Sequence, residues 1–190
     1  MTQWDAQGLP PFSVAVNLSV VQFQQDDLAS GVEEALKRYN MPSSRLELEL
    51  TESVVMQDAQ KAGNVLSRLS NVGIKLAIDD FGTGYSSLNM LKEMHVDVLK
   101  LDMKFLSAGE EARGRQIVAC IVDMAHRLDM RVIAEGVETA QQARELTALG
   151  CDAMQGYYFS RPIPPEELEK ILHTAGVQSP QPAPAATTPN

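Results

Sequence analysis

Six short apolar segments alternate with helical segments along this chain, and this alternation limits its possible folds more than any other feature. The apolar segments recur at intervals of roughly 20 to 35 residues, which leaves room for one helix between successive strands. Strands connected in this way run parallel, because each connection must cross back over the sheet. The sequence therefore predicts an α/β fold. Its strands are expected at residues 12–19, 46–51, 74–78, 96–102, 132–135 and 151–155.

The second predicted strand, Leu46–Thr51, alternates strictly between leucine and polar residues. Its three leucines would lie on one face, and Glu47, Glu49 and Thr51 would lie on the other. A strand between two apolar layers would not place two glutamates on one buried face, whereas the interior of a barrel near its rim could accept them. The pattern favours a barrel-like sheet.

Polar side chains occur at or near the carboxyl ends of the predicted strands. Barrels and open parallel sheets both place their active sites at this edge. We therefore expect these side chains to converge in space. They are Asn17, Glu49, Asp79, Asp80, Lys100, Asp102, Glu135 and Gln155.

Asp79 and Asp80 stand side by side where an apolar run ends and a glycine-containing loop begins. Two adjacent carboxylates repel each other and lose hydration on burial, so a hard divalent cation with oxygen ligands is a suitable joint partner. Oxygen-only donors disfavour zinc. The set is typical of two Mg²⁺ or Mn²⁺ ions about 3.5–4 Å apart, which cleave phosphodiesters through an activated water. Asp79 would be the bridging ligand.

Each of these residues also admits an interpretation without catalytic function. Their convergence on one rim favours the functional interpretation over a set of unrelated roles, although each match alone has weak specificity. The alternatives are an ordinary turn for Asp79 and Asp80, a strand-end turn for Asn17, surface acids for Glu49 and Glu135, a pair with Asp102 for Lys100, and a turn donor for Gln155.

The composition excludes several functional classes. A net charge of −9 opposes sequence-independent nucleic-acid binding, so we expect no DNA partner. No apolar run is long enough to span a bilayer and no secretory signal is present, so we expect a cytoplasmic protein. Without a CxxC pair, Cys120 and Cys151 are predicted to be reduced core thiols. His95, His126 and His173 lack ligand spacing and are assigned no role.

At 190 residues, the chain is large enough for one full domain. Residues 1–11 have the pattern of the end of a truncated helix followed by a linker, and the Pro-, Ala- and Thr-rich residues 177–190 are expected to be a disordered tail. A closed barrel of this type has eight strands, whereas about six can be counted in residues 12–176. We therefore predict a TIM-like (β/α) barrel that is incomplete at its amino terminus, with an open sheet as the alternative.

Six ordered motifs lie between about residue 14 and residue 172. They are Asn17-Leu18-Ser19, Glu49-Leu50-Thr51-Glu52, Asp79-Asp80-Phe81-Gly82-Thr83-Gly84-Tyr85-Ser86-Ser87, Leu99-Lys100-Leu101-Asp102, Glu135-Gly136-Val137-Glu138-Thr139 and Gln155-Gly156-Tyr157-Tyr158-Phe159. Together they resemble the motif set of the EAL-domain family. Members of that family are bacterial phosphodiesterases that open cyclic di-GMP to linear pGpG on a TIM-like barrel with Mg²⁺ or Mn²⁺.

The resemblance implies a site with two divalent cations. Asn17, Glu49 and Asp79 resemble the ligands of one ion, while Asp79, Asp80 and Glu135 resemble those of the second.

The resemblance also implies roles for residues around the ions. Lys100 would hold the attacking water or a phosphate oxygen, and Glu52 would secure the loop that follows the paired aspartates. The implied catalytic set is Lys100, Glu135 and Asp79. The implied supporting or substrate-binding residues are Glu52, Asp102, Glu138 and Gln155.

Partners follow from the same resemblance. The loop 81–87 lies near the usual dimer contact of the family, so a homodimer is expected. The Glu-Ala-Leu motif that names the family would precede Met1, which removes one metal ligand. It also suggests a longer parent protein with upstream sensory or diguanylate cyclase domains. The alternative is a catalytically impaired or inactive fragment that binds cyclic di-GMP or a partner protein. An unrelated sugar-phosphate barrel is disfavoured because it has no use for so many rim carboxylates.

Overall fold

One parallel sheet dominates the structure, a computed structural model that describes residues 1–25, 27–57, 59–82, 91, 94–102 and 111–176. Within these ranges the six strands are ordered as in the sequence, as expected for a singly wound barrel, and β1 and β6 are the edges. Every pairing is parallel, which confirms the predicted α/β class. The strands are β1 Val14–Asn17, β2 Leu46–Thr51, β3 Lys75–Phe81, β4 Val98–Asp102, β5 Arg131–Glu135 and β6 Ala153–Met154.

Helices connect these strands, and a 3₁₀ turn, Ser43–Arg45, precedes β2. The helices are α1 Thr2–Ala6, α2 Val20–Phe23, α3 Leu28–Arg38, α4 Glu52–Gln57, α5 Ala59–Asn71, α6 Glu111–Arg127, α7 Ala140–Ala148 and α8 Pro165–Gly176. None of the helices within the described ranges has the length and apolar character needed to cross a membrane. The spacing of Leu88, Leu91 and Met94 in the sequence predicts a further helix, but residues 88–94 lie mostly outside those ranges.

The chain separates into two compact units. Ser13–Arg161 contains the whole sheet and its connecting helices. The other unit consists, in the described part of the chain, of Met1–Phe12 and residues 162–176, and in it the rings of Trp4 and Phe12 lie 5.4 Å apart. The predicted boundaries at 1–11, 12–176 and 177–190 remain predictions, and residues 177–190 lie outside the described part of the chain.

Helix α5 shows how the apolar pattern builds the core. Ala62, Leu66 and Leu69 recur at helical spacing and are at most 1% exposed. This face packs against β3, whose Leu76 is fully buried. The connection ends at Gly73, which has a φ of +85° and so adopts the left-handed conformation that favours glycine after a helix.

Helix α6 buries most of the face that the helical spacing of Ile117, Ile121, Ala125 and Leu128 predicts, because Ala125 is in the core and Ile121 and Leu128 pack against it. Ile117 is the exception: it is 42% exposed, whereas Val118 and Val122 are buried. The run from Ile117 to Val122 is apolar almost throughout, so its periodicity does not distinguish two faces one residue apart. Cys120 is exposed on this helix, so its assignment as a core thiol was wrong. Cys151 is half-buried, and burial raises the pKa of its thiol to about 11.

Two short helices, α2 and α4, were not predicted. Helix α2 begins at a capping box, in which the Ser19 hydroxyl accepts from the backbone N–H of Gln22 at 3.3 Å. The Gln22 side chain in turn accepts from the backbone N–H of Ser19 at 3.0 Å. This local pairing ends the first strand at Asn17, two residues earlier than the sequence pattern indicated.

Two aspartates secure the amino-terminal edge of the sheet. Asp97 precedes β4, and its Oδ2 accepts from the backbone N–H of Leu76 in β3 at 2.9 Å. Asp152 precedes β6, and its Oδ2 accepts from the N–H of Val132 in β5 at 2.7 Å. The same oxygen lies 2.9 Å from Nε2 of His126, a residue to which the sequence assigned no role. Matching contacts therefore hold two separate strand pairs in register.

Candidate active site

Lys100 lies at the centre of an acidic cluster at the carboxyl ends of the strands. Its Nζ is 2.6 Å from Oε1 of Glu49 on β2 and 2.6 Å from Oε1 of Glu135 on β5. Oδ1 of Asp79 on β3 is 3.9 Å away. The Lys100 side chain is only 3% exposed. Four neighbouring strands thus deliver one ammonium and three carboxylates to one place.

The strand register explains this convergence. On β4 and β5, Asp102 pairs with Glu135, and Lys100 lies two residues before Asp102 on the same face. On β2 and β3, Asp79 pairs with the residue two positions after Glu49. Because neighbouring parallel strands are aligned in this way, the residues near the carboxyl end of each strand lie side by side at one edge of the sheet. The sequence pattern alone does not supply this register.

The backbone is distorted at the paired aspartates. The pairing between β3 and β4 shifts between Ile78 and Phe81. Asp80 has a φ of +55°, in the left-handed region that aspartate tolerates better than most residues. Its N–H donates to Oδ1 of Asp79 at 2.9 Å. The distortion leaves Asp79 half-buried and Asp80 exposed, so the two neighbours occupy different environments.

Charge at the cluster is strongly unbalanced. Burial by itself lowers the pKa of Lys100, but hydrogen bonds to Glu135 and Glu49 raise it above its ordinary value, so the side chain is an ammonium at neutral pH. Burial raises the pKa of Glu135, and the nearby Asp79 raises it further, while Lys100 opposes the shift. The cluster contains three acidic side chains and one basic side chain, so its acidic groups outnumber the cation by two.

The donor set suits hard divalent cations. Its side chains offer only carboxylate and amide oxygens, and the excess negative charge favours a cation. Among the described residues, no three acidic, histidine or cysteine side chains already surround a common metal position. The carboxylates of Glu49 and Glu135 are directed to Lys100 instead. Ligand chemistry, not a preformed cage, therefore supports a metal site here.

Other predicted site residues lie at the same edge but outside this ion-pair cluster. Asn17 is exposed at the end of β1, where it pairs in register with Glu49. The backbone N–H of Glu138 donates to the Gln142 side chain at 2.8 Å, beside the amino terminus of α7. Gln155 is exposed after β6, and its N–H donates to the carbonyl of Ala134 at 2.8 Å. Asp102 is half-buried on β4.

Glu52 links two strand ends. It begins α4 directly after β2, and it is 3% exposed. Its Oε2 accepts from the backbone N–H of Gly82, directly after β3, at 2.8 Å. The buried carboxylate therefore secures the start of the segment after Asp80. The remainder of the predicted loop, 83–87, lies outside the described residues.

Burial excludes the alternative interpretation of Glu49 as a surface acid, because this residue is only 6% exposed. The Glu135 side chain is 22% exposed and its carboxylate is engaged by Lys100.

The sequence did not single out Arg161, whose guanidinium lies 5.1 Å from the ring centre of Tyr157. A tyrosine and an arginine four residues apart were the available signal, although such spacing is common.

Comparison with known proteins gives a consistent family match. The model of the EAL domain matches residues 1–162. The bifunctional diguanylate cyclase/cyclic di-GMP phosphodiesterase MucR of Pseudomonas aeruginosa is 41% identical over 169 residues, which are 88% of this chain and 25% of MucR. The chain therefore spans about a quarter of the length of that relative.

Solved structures extend the match to the fold. A structure described as the MucR phosphodiesterase in complex with c-di-GMP has a TM-score of 0.81 and 41% identity, covering 88% of this chain and 73% of that one. The EAL domain of Mycobacterium smegmatis DcpA has a TM-score of 0.84 and 37% identity, covering 91% of this chain and 78% of that one. These matches confirm a TIM-like barrel fold, of which the described part of this chain contains six strands.

Proposed function

The chain belongs to the EAL-domain family, and from this premise we propose that it hydrolyses cyclic di-GMP to linear pGpG with the help of divalent cations. The observation that carries the proposal is the convergence of Glu49, Asp79 and Glu135 on Lys100 at one edge of the sheet. Relatives named as cyclic di-GMP phosphodiesterases support the choice of substrate. The MucR structure in complex with c-di-GMP supports it as well.

The residues divide into two overlapping ligand sets under this proposal. Asn17, Glu49 and Asp79 would hold one ion, and Asp79, Asp80 and Glu135 would hold the other. Two bound Mg²⁺ or Mn²⁺ ions would supply an activated water and neutralise the phosphate charge. Asp79 is suited to bridging because it lies between the strands that carry Glu49 and Glu135 and approaches Lys100 with them.

Lys100 acts as a charged donor in this proposal, not as a base. Its raised pKa keeps the ammonium protonated at neutral pH. An ammonium has three N–H donors, so it can orient a phosphate oxygen or the attacking water as well as the carboxylates. Its burial makes that positive charge more effective than an exposed lysine would be.

The surrounding residues position this machinery. Glu52 holds the backbone at Gly82, and this fixes the direction in which the chain leaves Asp80. We assign supporting or substrate-binding roles to Asp102, Glu138 and Gln155, which lie at the same edge. We also propose a cytoplasmic homodimer within a longer parent protein that carries sensory or diguanylate cyclase domains.

A second candidate function is binding without cleavage. Asn17 is exposed on β1, an edge of the sheet in the described part of the chain. A metal ligand on an exposed edge is held less firmly than Glu49 in the interior. A chain with one weakened metal site would bind cyclic di-GMP or a partner protein but turn over little substrate.

Chromatography of cyclic di-GMP incubated with the chain and Mn²⁺ tests the proposal. The unmodified chain should form pGpG, and Asp79→Asn should not. Asp123→Asn is the matched control, because this aspartate is exposed on helix α6, where it pairs with Arg127, and not on one of the strands that carry the cluster. Intact cyclic di-GMP after incubation with folded, unmodified chain would refute hydrolysis and favour the binding function.

A further inference from the structure

Strand β1 is an edge of the sheet, and an apolar groove lies beside it. No other strand in the described part of the chain pairs with the outer side of β1. The groove has a volume of about 460 Å³ and is lined by Val16, Leu18 and Leu48 on one side and by helix α3 on the other. Val16 is 44% exposed. A strand edge of this kind is a template for pairing with another chain.

The edge of β1 offers the backbone groups of Ala15 and Asn17 to a further strand. On the side of β2, the N–H of Leu18 donates to the carbonyl of Glu49 at 2.8 Å. Backbone groups of successive strand residues point in alternate directions, so those of Val16 also face β2. The N–H and C=O groups of Ala15 and Asn17 therefore point away from β2.

We propose that β1 pairs with β1 of a second copy of the chain and joins two sheets across a twofold axis. In an antiparallel pairing centred on Val16, Ala15 of each copy lies opposite Asn17 of the other and exchanges both N–H···O bonds with it. This arrangement satisfies the outward backbone groups of both strands. It also uses the same surface on each copy, which a twofold dimer requires.

The side chains of β1 favour a second copy as the partner. Val14–Asn17 contains no charged residue, so the net charge of −9 on each chain is carried away from the contact. Glu47 and Glu49 lie one strand further in, on β2. The two copies of β2 would be about 14 Å apart, beyond the Debye length of about 8 Å at physiological ionic strength. At the centre the two copies of Val16 face each other, and branched side chains pack well on a pleated surface.

Helix α3 supplies further contact area. Gly31, Ala35 and Tyr39 recur at four-residue spacing, are exposed and line the groove. Because α3 lies over β1 and β2, strand pairing would place its two copies about 10 Å apart, an ordinary distance between packed helices. This contact is needed because stable interfaces bury at least about 1,200 Å² in total, more than two short strands cover.

The pairing also bears on the proposed metal site. Asn17, which the proposed function makes a metal ligand, is paired with Glu49 on one side and has no strand on its other side among the described residues. A second copy of β1 would bond the backbone of Asn17 from that side and hold its side chain more firmly beside Glu49. This consequence rests on the proposed function, whereas the strand pairing itself does not.

Sedimentation velocity tests the pairing in the whole chain. The unmodified chain should sediment as a dimer, at twice the chain mass of 20.8 kDa. Ala15→Pro removes an outward N–H, and proline is tolerated on the outer side of an edge strand, so this variant should fold and sediment as a monomer. Val16→Lys places like charges opposite each other in the pair and should also be a monomer.

Ile117→Lys is the matched control, because it adds the same charge to another apolar side chain, 42% exposed on α6 between β4 and β5. It should remain a dimer. Cross-linking of Val16→Cys in a Cys120→Ser background is a second measurement. Residues opposite each other without mutual hydrogen bonds have Cα atoms about 4.5 Å apart, within disulfide range, so a mild oxidant should link two copies. Val21→Cys, 72% exposed on α2, should link far less.

Each outcome decides the inference. A monomeric unmodified chain overturns it. A dimer that persists in both Ala15→Pro and Val16→Lys overturns it in favour of another surface, and loss of the dimer in Ile117→Lys alone places that surface on α6. If circular dichroism shows that an edge variant is unfolded, cross-linking decides, and Val16→Cys that links no faster than Val21→Cys overturns the pairing. A dimer through β1 that forms no pGpG supports the pairing and refutes hydrolysis alone.

Discussion

Lys100 and Glu49 form a buried ion pair with Nζ and Oε1 2.6 Å apart, although β3 lies between the strands that carry them. Both side chains must therefore project to the same side of the sheet and meet across the intervening strand. The ammonium reduces the repulsion between Glu49 and Glu135 and holds them on either side of Asp79. Its position makes Lys100 central to both the stability and the chemistry of the site.

Replacing Lys100 by methionine should destabilise the chain. The change keeps the length of the side chain but leaves buried carboxylates without their cation, which typically costs about 3–5 kcal/mol of unfolding free energy. Urea denaturation in the presence of a chelator measures the loss, and added Mn²⁺ should reduce it. Lys37→Met is the control, because the Lys37–Glu33 pair is exposed and its loss should cost less than about 1 kcal/mol. Equal losses in the two variants would contradict the central role of Lys100.

Replacing Glu52 by alanine should loosen the chain after β3. A hydrogen bond to a buried carboxylate is worth about 1.5–3 kcal/mol, and the Gly82 N–H would lose this acceptor. Hydrogen exchange at the Gly82 amide should accelerate about 10-fold or more, while the amide of Leu76, held by Asp97, should keep its protection. The same variant should also turn over cyclic di-GMP more slowly, because the backbone after Asp80 is held less firmly. Unchanged exchange at Gly82 would show that Glu52 does not secure this segment.

Asp152 gives the clearest pH dependence of stability. Burial raises its pKa, but hydrogen bonds from the Val132 backbone and from His126 outweigh burial and lower the pKa below its ordinary value of 3.8. A group with a lowered folded-state pKa stabilises the fold fully above its unfolded pKa, and this contribution disappears as the pH falls through the folded pKa. Asp152→Asn should therefore have a lower melting temperature than the unmodified chain at pH 7. The difference should shrink below about pH 4.

Melting curves of both proteins between pH 7 and pH 3 test this dependence. Asp123→Asn serves as the control, because the aspartate is 66% exposed on the surface of α6 and its replacement should change melting little at any pH. A difference between Asp152→Asn and the unmodified chain that grows on acidification would show that the sign is wrong.

Two adjacent residues of α6 test which of its faces is buried. Val118→Ala should cost about 2 kcal/mol of unfolding free energy because Val118 is 2% exposed in the core. Ile117→Ala removes more atoms but should cost less than about 1 kcal/mol, because Ile117 is 42% exposed. Chemical denaturation of the two variants compares them directly. A larger loss for Ile117→Ala would show that Ile117, and not Val118, faces the core.

The sequence predicted the strands better than the contacts between them. All six strands were found near their expected positions, because short apolar runs ending in polar residues are a local signal. The distortion at Asp80 and the shift between Ile78 and Phe81 were not predicted, since they depend on how β3 meets β4. Helix α4 was missed because Val54 and Val55 follow β2 so closely that no separate period is visible.

Predicting the site from sequence had a similar limit. The acids at the strand ends were identified from position, and the structure brings Glu49, Asp79 and Glu135 together around Lys100. Their specific pairing depends on the strand register and on side-chain conformation, neither of which a sequence pattern contains. The exposed Cys120 has the same explanation as Ile117, because an almost continuous apolar run does not reveal which face of its helix is buried.

The most direct test of the account is the rate of pGpG formation from cyclic di-GMP as Mn²⁺ is removed and returned. We expect no product after treatment with a chelator, saturable recovery when Mn²⁺ is added back, and a circular dichroism spectrum that shows the chain folded throughout. Recovery in the unmodified chain but not in Glu49→Gln would tie the metal to the acidic cluster around Lys100. Product formation that is unaffected by the chelator, or no product from folded chain at saturating Mn²⁺, would contradict metal-dependent hydrolysis at this site.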